Sequence, residues 1–266
     1  MKKTLENAES QRIFELLDSQ DWPLATDPTQ ICDENSAEDK IERAQGIIEV
    51  CVNKNLKDLV VLDYGCGEGY VAYEAAQQGA AMAIGYDMES NSNSVVPFEE
   101  RRDTLLLTTD IGRVKVNSYD VIILYDVLDH SDSPMEILNN CKDMLREDGE
   151  IYVRTHPFSA RHGGHIYKVL NKAFAHLVLN DQELNDREAV VSDKQEVLYP
   201  IKTYNQFFAS SGLVVKEKNV IKETVEPFFK NRPLIRNRLM TKFNNKEFPE
   251  FQMSVSFIDY VLGKPE

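Results

Sequence analysis

An α/β domain with a parallel sheet is what this sequence predicts, and three observations predict it. Short β-rich runs alternate with helical stretches from Leu59 to Thr155, the pattern of βαβ units. The run VLDYGCGEGY carries a buried strand into a turn holding Gly65, Gly67 and Gly69 and then opens a helix. Acids close the next two strands, Asp87 and Asp110.

Taken in order, the chain opens with TLENAESQRIFELLDS, whose Ile13, Leu16 and Leu17 share a helical face, and DWPLATDP then breaks the helix with two prolines. Residues 1–35 are read as an N-terminal helical arm and 36–266 as one domain. Ser36 suits the N-cap of a helix whose apolar positions are Ile41, Ala44, Ile47, Ile48, Cys51 and Val52. The expected strands are LVVLDY, AMAIGYD, DTLLLT, YDVIILYD and GEIYVRT, with helices near Tyr70–Gln78, where Gly79 suits a left-handed cap, and near Pro134–Leu145. From Asp87 to Arg102 the link is polar, so any helix there is short. Past Thr155 the segment HPFSARHGGH leads into a predicted helix with the stripe Ile166, Val169, Leu170, Ala173, Phe174, Leu177 and Val178. An acidic connection, a helix near Tyr204–Ser211 and a strand near Leu213–Ile221 follow. In the last predicted strand Phe251, Met253, Val255 and Phe257 alternate with polar residues.

Bulk properties narrow the classes. The 266 residues, 42% of them apolar, suffice for one large core or a core with a satellite. No apolar run reaches the length of a bilayer span and no signal-like segment opens the chain, so a soluble cytoplasmic protein without membrane association is expected. The four cysteines, Cys32, Cys51, Cys66 and Cys141, lack metal-type spacing. Lys and Arg number 30 against 44 Asp and Glu, a net charge of -14 that disfavours a polyphosphate partner.

Glycines at such a turn let the backbone bend sharply and approach a ligand, while the helix behind them presents free amides. Asp87, twenty residues beyond Gly67, stands where a carboxylate accepts ribose hydroxyls, and Asp110 where one accepts from an adenine amine. Three consecutive strand ends thus suit one extended adenosine ligand along the carboxyl edge of the sheet. Here the chain resembles the class I S-adenosylmethionine-dependent methyltransferases, over roughly residues 40–156. Asp63 with Gly65, Gly67 and Gly69 is similar to the family's first motif, Asp87 to its ribose-binding acid and Asp110 to its adenine-side acid. The stretch from Tyr119 through Val153 is similar to the fourth-to-fifth-strand region of small-molecule and quinone-type members. Glu150 departs from the pattern where a second glycine commonly follows Gly149.

The resemblance implies a Rossmann-like three-layer sandwich with a mostly parallel seven-stranded sheet whose last strand is antiparallel. It implies S-adenosylmethionine as cofactor, S-adenosylhomocysteine as product, and a cofactor site made of Asp63, Gly65, Cys66, Gly67, Gly69, Asp87, Met88, Asp110, Ile111 and Tyr125. An NAD-dependent oxidoreductase is the rival, because Asp87 can equally hold the ribose of NAD. The spacing GxGxG, without the third glycine of GxGxxG, and Asp63 two positions before the glycines favour the sulfonium cofactor.

Methyl transfer from a sulfonium is an in-line displacement that needs proximity, and a base where the acceptor carries a proton. His130, ending the fourth strand, and His156, just past the fifth, are the candidates. Arg161, His162 and His165 suit a polar substrate loop, with Gly163 and Gly164 giving it freedom; three imidazoles are also a conceivable zinc set, though no metal is expected. The insertion at about 157–200 is expected to cap the substrate side. The acceptor is read as a small molecule. DNA is demoted because the fourth strand ends Tyr125, Asp126, Val127 rather than in the Asx-Pro-Pro pattern of amino-methylating DNA enzymes. A non-catalytic cofactor-binding subunit, meeting a partner through the basic run Lys230–Lys242, is a further alternative.

Overall fold

The computed structural model describes residues 2–27, 36–89, 103–189, 200–242 and 250–265. In chain order its elements are α1 (Lys2–Asp18), α2 (Ala37–Ile47), β1 (Val60–Tyr64), α3 (Tyr70–Gln77), β2 (Met82–Tyr86), β3 (Leu105–Thr108), β4 (Tyr119–Tyr125), α4 (Pro134–Met144) and β5 (Leu145–Thr155). Then come α5 (Ala175–Val178), α6 (Asp181–Asn185), α7 (Ile201–Ser211), β6 (Val214–Lys222), α8 (Glu226–Lys230), α9 (Pro233–Lys242), α10 (Glu250–Ser254) and β7 (Val255–Gly263). The link predicted to hold at most a short helix falls largely in 90–102, outside the described residues, as does 28–35 of the N-terminal arm.

Seven strands form one sheet in the order β3-β2-β1-β4-β5-β7-β6. β1 pairs in parallel with both β2 and β4, β2 with β3, and β4 with β5. β7 runs antiparallel to β5, from Ile151 opposite Leu262 to Thr155 opposite Ile258. The chain builds outward from β1 to β3 and then returns to lay β4 on the other side of β1. That reversal leaves a crevice at the carboxyl ends of β1 and β4, where open α/β sheets bind ligands.

The chain divides into two compact units. One comprises Glu34–Thr155, Lys202–Val220 and Ile258–Glu266. In it α2 begins at Ser36, whose hydroxyl accepts from Asp39 N while the Asp39 carboxylate accepts from Ser36 N, a reciprocal cap that satisfies two orphan donors. The apolar stripe of α2 runs on through a π turn at Ile48–Val52, and Ala44, Ile48 and Val52 join Val61, Ala72, Ala75, Ala83, Val121 and Ile123 in one buried cluster. Glu150, the departure from the glycine pattern, accepts from Lys54, Tyr152 and Lys216. Burial acts to raise its carboxyl, yet these donors hold it down at about 2.

The other unit comprises Met1–Asp33, His156–Ile201 and Ile221–Phe257. Its core gathers Ile13 and Leu17 of α1, Trp22, Phe174, Leu177, Val178, Phe229, Ile235, Leu239 and Met253. The buried Glu183 carboxylate is satisfied by Ser10 Oγ, by Arg238 and by the Asn180 backbone amide. Two arginines of the basic run are committed within this unit: Arg232 donates to Asp21 O and lies over the Trp22 and Phe228 rings, and Arg238 pairs with Glu183.

Two expected elements differ. The stripe Ile166–Val178 is mostly turns, helical only in α5, although Ile166, Leu170, Ala173, Phe174, Leu177 and Val178 are buried as a helix would bury them and Val169 is exposed. The helical ladder is broken because Ala173 N donates to Pro23 O and Phe174 N to Arg161 O, and Phe174 takes a left-handed φ of 60°. The last strand starts at Val255, later than expected, because residues 250–254 form α10. Met253 and Val255 are buried as the alternation expects, but the strand then buries Ile258, Tyr260 and Leu262, the opposite parity to the predicted Phe257.

Candidate cofactor site and histidine cluster

The first cluster lies in the sheet-bearing unit. β1 delivers Asp63, buried to 3% exposure, into the turn Gly65–Gly69, where Gly65, Gly67 and Gly69 have φ of 80°, 52° and 85°. Gly65 N and Cys66 N both donate to Tyr86 O at 2.7 and 3.0 Å, stapling the turn to the end of β2, and Gly69 N donates to Cys66 O at 2.8 Å. A Cβ on Gly65 would meet Val127 Cγ2 at 2.7 Å, and one on Gly69 would meet Leu107 Cδ1 at 2.4 Å. Around Gly67, by contrast, nothing lies within 4 Å of that position. Asp87 closes the site: its Oδ2 accepts from Gly67 N at 2.8 Å and its Oδ1 from Glu89 N at 3.1 Å.

Asp110 follows β3 and caps a single 3-10 turn, accepting from Gly112 N at 2.9 Å. Asp87 and Asp110 both act on the Tyr86 hydroxyl, whose ionisation burial first, and then these two charges, push upward. The residues directly after the two acids are unusually bare for their type: Met88 is 81% and Ile111 39% exposed. Tyr125, the last residue of β4, packs instead against the core cluster of α2 and α3, and burial raises its hydroxyl to about 12. Burial, then the charges of Asp63 and Asp87, also push the Cys66 thiol up, away from the thiolate form that a nucleophile needs.

Burial likewise lifts Asp63 to about 7, opposed by a bond from Ala72 N and aided by the charge of Asp87. Its Oδ2 is buried without a hydrogen-bond partner among the described residues. His130 stands past β4 with half its side chain exposed, its Nε2 3.9 Å from the buried Asp129 carboxylate. The structure thus gathers the turn Gly65, Cys66, Gly67 and Gly69 with Asp87, which is bonded to Gly67 N, and with the buried Asp63, on which the Asp87 charge acts. Leu107 and Val127, which sequence reasoning missed, hold the glycine turn from beneath. Their signal was faint, two apolar side chains near strand ends.

The second cluster belongs to the other unit. His156 is 2% exposed, and its Nε2 lies 2.6 Å from His165 Nε2. The His162 ring is centred 4.7 Å from that of His156, and Phe257 packs on both His156 and His162. The connecting loop is a chain of turns, with Ala160 N donating to Pro157 O, Gly163 N to Ala160 O and His165 N to His162 O. The two glycines there serve close packing rather than freedom: a Cβ on Gly164 would lie 2.2 Å from His176 Cβ. Arg161, expected to attract an anion, is paired with Glu223 at 3.2 Å.

A sheet ordered in this way, with a glycine turn and two acids at three successive strand ends, is an α/β fold of the class I methyltransferase type. A family model described as a methyltransferase domain matches residues 36–215, and the chain belongs to that family. Among curated relatives, the ubiquinone biosynthesis O-methyltransferase of Neisseria meningitidis is 28% identical over 111 residues, 38% of this chain and 45% of that protein. The tRNA U34 carboxymethyltransferase of Helicobacter pylori is 29% identical over 108 residues, 38% and 41% of the two chains. The chain therefore spans less than half the length of the curated relatives it matches. Among solved structures, the phosphoethanolamine N-methyltransferase 2 of Haemonchus contortus, in complex with S-adenosyl-L-methionine, superposes with a TM-score of 0.53 at 16% identity, covering 85% of this chain and 53% of that one.

Proposed function

We propose that the chain transfers a methyl group from S-adenosylmethionine to a small-molecule acceptor. One observation carries the reading: the glycine turn after β1 and the acids after β2 and β3 occupy three consecutive strand ends, with Asp87 already bonded to the turn at Gly67 N. In this reading Asp87 exchanges its bond to Gly67 N for the ribose hydroxyls, and the open face of Gly67 receives the cofactor. Met88 and Ile111 supply the apolar surfaces for adenine, with Asp110 accepting from its amine. The family assignment and the enzymatic relatives support transfer chemistry on this site.

Displacement at the sulfonium methyl demands a nucleophile held close and collinear, so binding supplies much of the rate. Where the acceptor carries a proton, His130 is the better base of the two histidines, because half of it is exposed and it stands beside the Asp129 carboxylate. Arg161, His162 and His165 are assigned to the acceptor loop.

Calorimetric titration with S-adenosylmethionine, S-adenosylhomocysteine and NAD tests the reading on the native chain and on Asp87→Ala. Micromolar binding of both adenosyl-sulfur ligands, weakened at least about tenfold (~1.4 kcal/mol) by the substitution, is expected. Binding of NAD in their place would overturn the assignment.

A further inference from the structure

The histidine cluster points two imidazole nitrogens at each other. His156 enters directly from the end of β5, whereas His165 is delivered by the turn loop and holds a left-handed φ of 52°. Strain of that kind in a non-glycine residue persists only where the surroundings impose it, and it gathers at functional sites. Here it aims one ring nitrogen at another: the two Nε2 atoms are 2.6 Å apart, closer than an ordinary N–H···N bond. Next to His165 in the chain, Gly164 packs tightly on His176, where any side chain would clash. The His162 ring lies tilted against that of His156, and Phe257 walls the group with an apolar face.

We propose that His156 and His165 are the paired imidazole ligands of a divalent transition-metal site, of the zinc class. The donor set decides the class. Neutral imidazoles select zinc, cobalt, nickel or copper and leave magnesium and calcium unbound, since those ions require oxygen. Zinc imposes no geometry of its own and is held at roughly 2.0–2.1 Å from each nitrogen, which places two tetrahedral ligands roughly 3.3 Å apart. The rings therefore separate by roughly 0.7 Å on binding, a small rotation. The ring that donates its Nε2 proton to the other must carry that proton on Nδ1 instead, so both lone pairs face the ion and no net proton need be lost. With two imidazole nitrogens supplied by the pair, further positions stay open to water or to an oxygen of a bound molecule. The inference is independent of the cofactor reading, because none of its residues belongs to the glycine turn.

Titration of metal-free full-length protein with Zn2+, by calorimetry and by competition with a chromophoric chelator, tests it. One ion per chain is expected, with His156→Ala and His165→Ala each weakening binding at least about tenfold, ~1.4 kcal/mol. His130→Ala is expected to leave Zn2+ affinity unchanged, and Mg2+ to give no binding. Because His156 is buried and its substitution risks the fold, Co2+ and Zn2+ are also bound to the unmodified chain. X-ray absorption should then show the outer-ring scattering of at least two imidazoles. Absence of stoichiometric Zn2+ binding, indifference of binding to both cluster substitutions, or a bound ion without imidazole scattering would each overturn the site.

Discussion

Each glycine of the turn after β1 answers a different demand. Gly69 combines a φ of 85° with a Cβ direction that runs into Leu107 at 2.4 Å, whereas Gly67 has a φ of 52° and open space before it. Gly69→Ala should therefore lose about 1–3 kcal/mol of unfolding free energy. Gly67→Ala bears only the backbone cost, about 1–2 kcal/mol, yet should abolish most S-adenosylmethionine binding, since its methyl occupies the cofactor's proposed space. Denaturant melts and ligand titrations of the two variants separate these effects; equal binding by Gly67→Ala and the native chain would count against a cofactor there. Asp63 offers a second residue-scale test. Its carboxyl titrates at about 7 in the folded chain against about 3.9 when unfolded. The folded state holds that proton more tightly, so the stability linked to it is whole below the unfolded value and is lost as pH rises through about 7. Over that window the slope approaches ~1.4 kcal/mol per pH unit. Asp63→Asn removes the ionisable group, and its melting temperature should fall less than that of the native chain between about pH 5 and 7. Identical profiles would place the titration elsewhere.

At the level of elements, what was legible was whatever local chemistry specifies. The strands of the parallel half and α3 are set by β-rich runs and by glycines that permit only one turn. Ser36 and Asp39, three residues apart, announce the start of α2 through their reciprocal cap. The segment from Ile166 to Val178 shows the limit of periodicity. Its apolar residues are buried, but its amides are taken by Pro23 O and Arg161 O, and Asn171 accepts from both Ala25 N and Thr26 N while donating to Thr26 O. These partners stand about 150 residues away or across a tight loop, so no window along the sequence contains them. The end of the chain is a related case. Phe251 and Met253 alternate as a strand would, but two residues cannot distinguish period 2 from one helical turn, and they lie in α10.

For the whole molecule, the proposed cofactor site was readable because a parallel α/β sheet places ligand groups at strand ends, where sequence position and spatial position agree. The histidine cluster was only half readable: His156, His162 and His165 share a short segment, but Phe257 reaches them from the far end of the chain. The net charge of -14 acts on every ligand at once and distinguishes the two forms of the proposed cofactor. S-adenosylmethionine carries a sulfonium, an ammonium and a carboxylate, one net positive charge, while S-adenosylhomocysteine has lost the sulfonium and is neutral overall. An acidic protein attracts the first and is indifferent to the second, beyond the contacts both share. Near the site the field is supplied by Asp87 and Asp110, since the Asp63 carboxyl holds its proton up to about 7. Raising ionic strength shortens the Debye length from about 30 Å at 0.01 M to about 8 Å at 0.15 M and screens the attraction. Association of S-adenosylmethionine should then slow several-fold across that range, while that of S-adenosylhomocysteine changes little. Stopped-flow binding of both ligands at the two salt concentrations measures the difference directly. Parallel salt dependences would mean that short-range contacts, not the acidic field, govern capture; a selective loss for the sulfonium form would mean that the charge of the chain favours methyl donor over spent product before either touches the glycine turn.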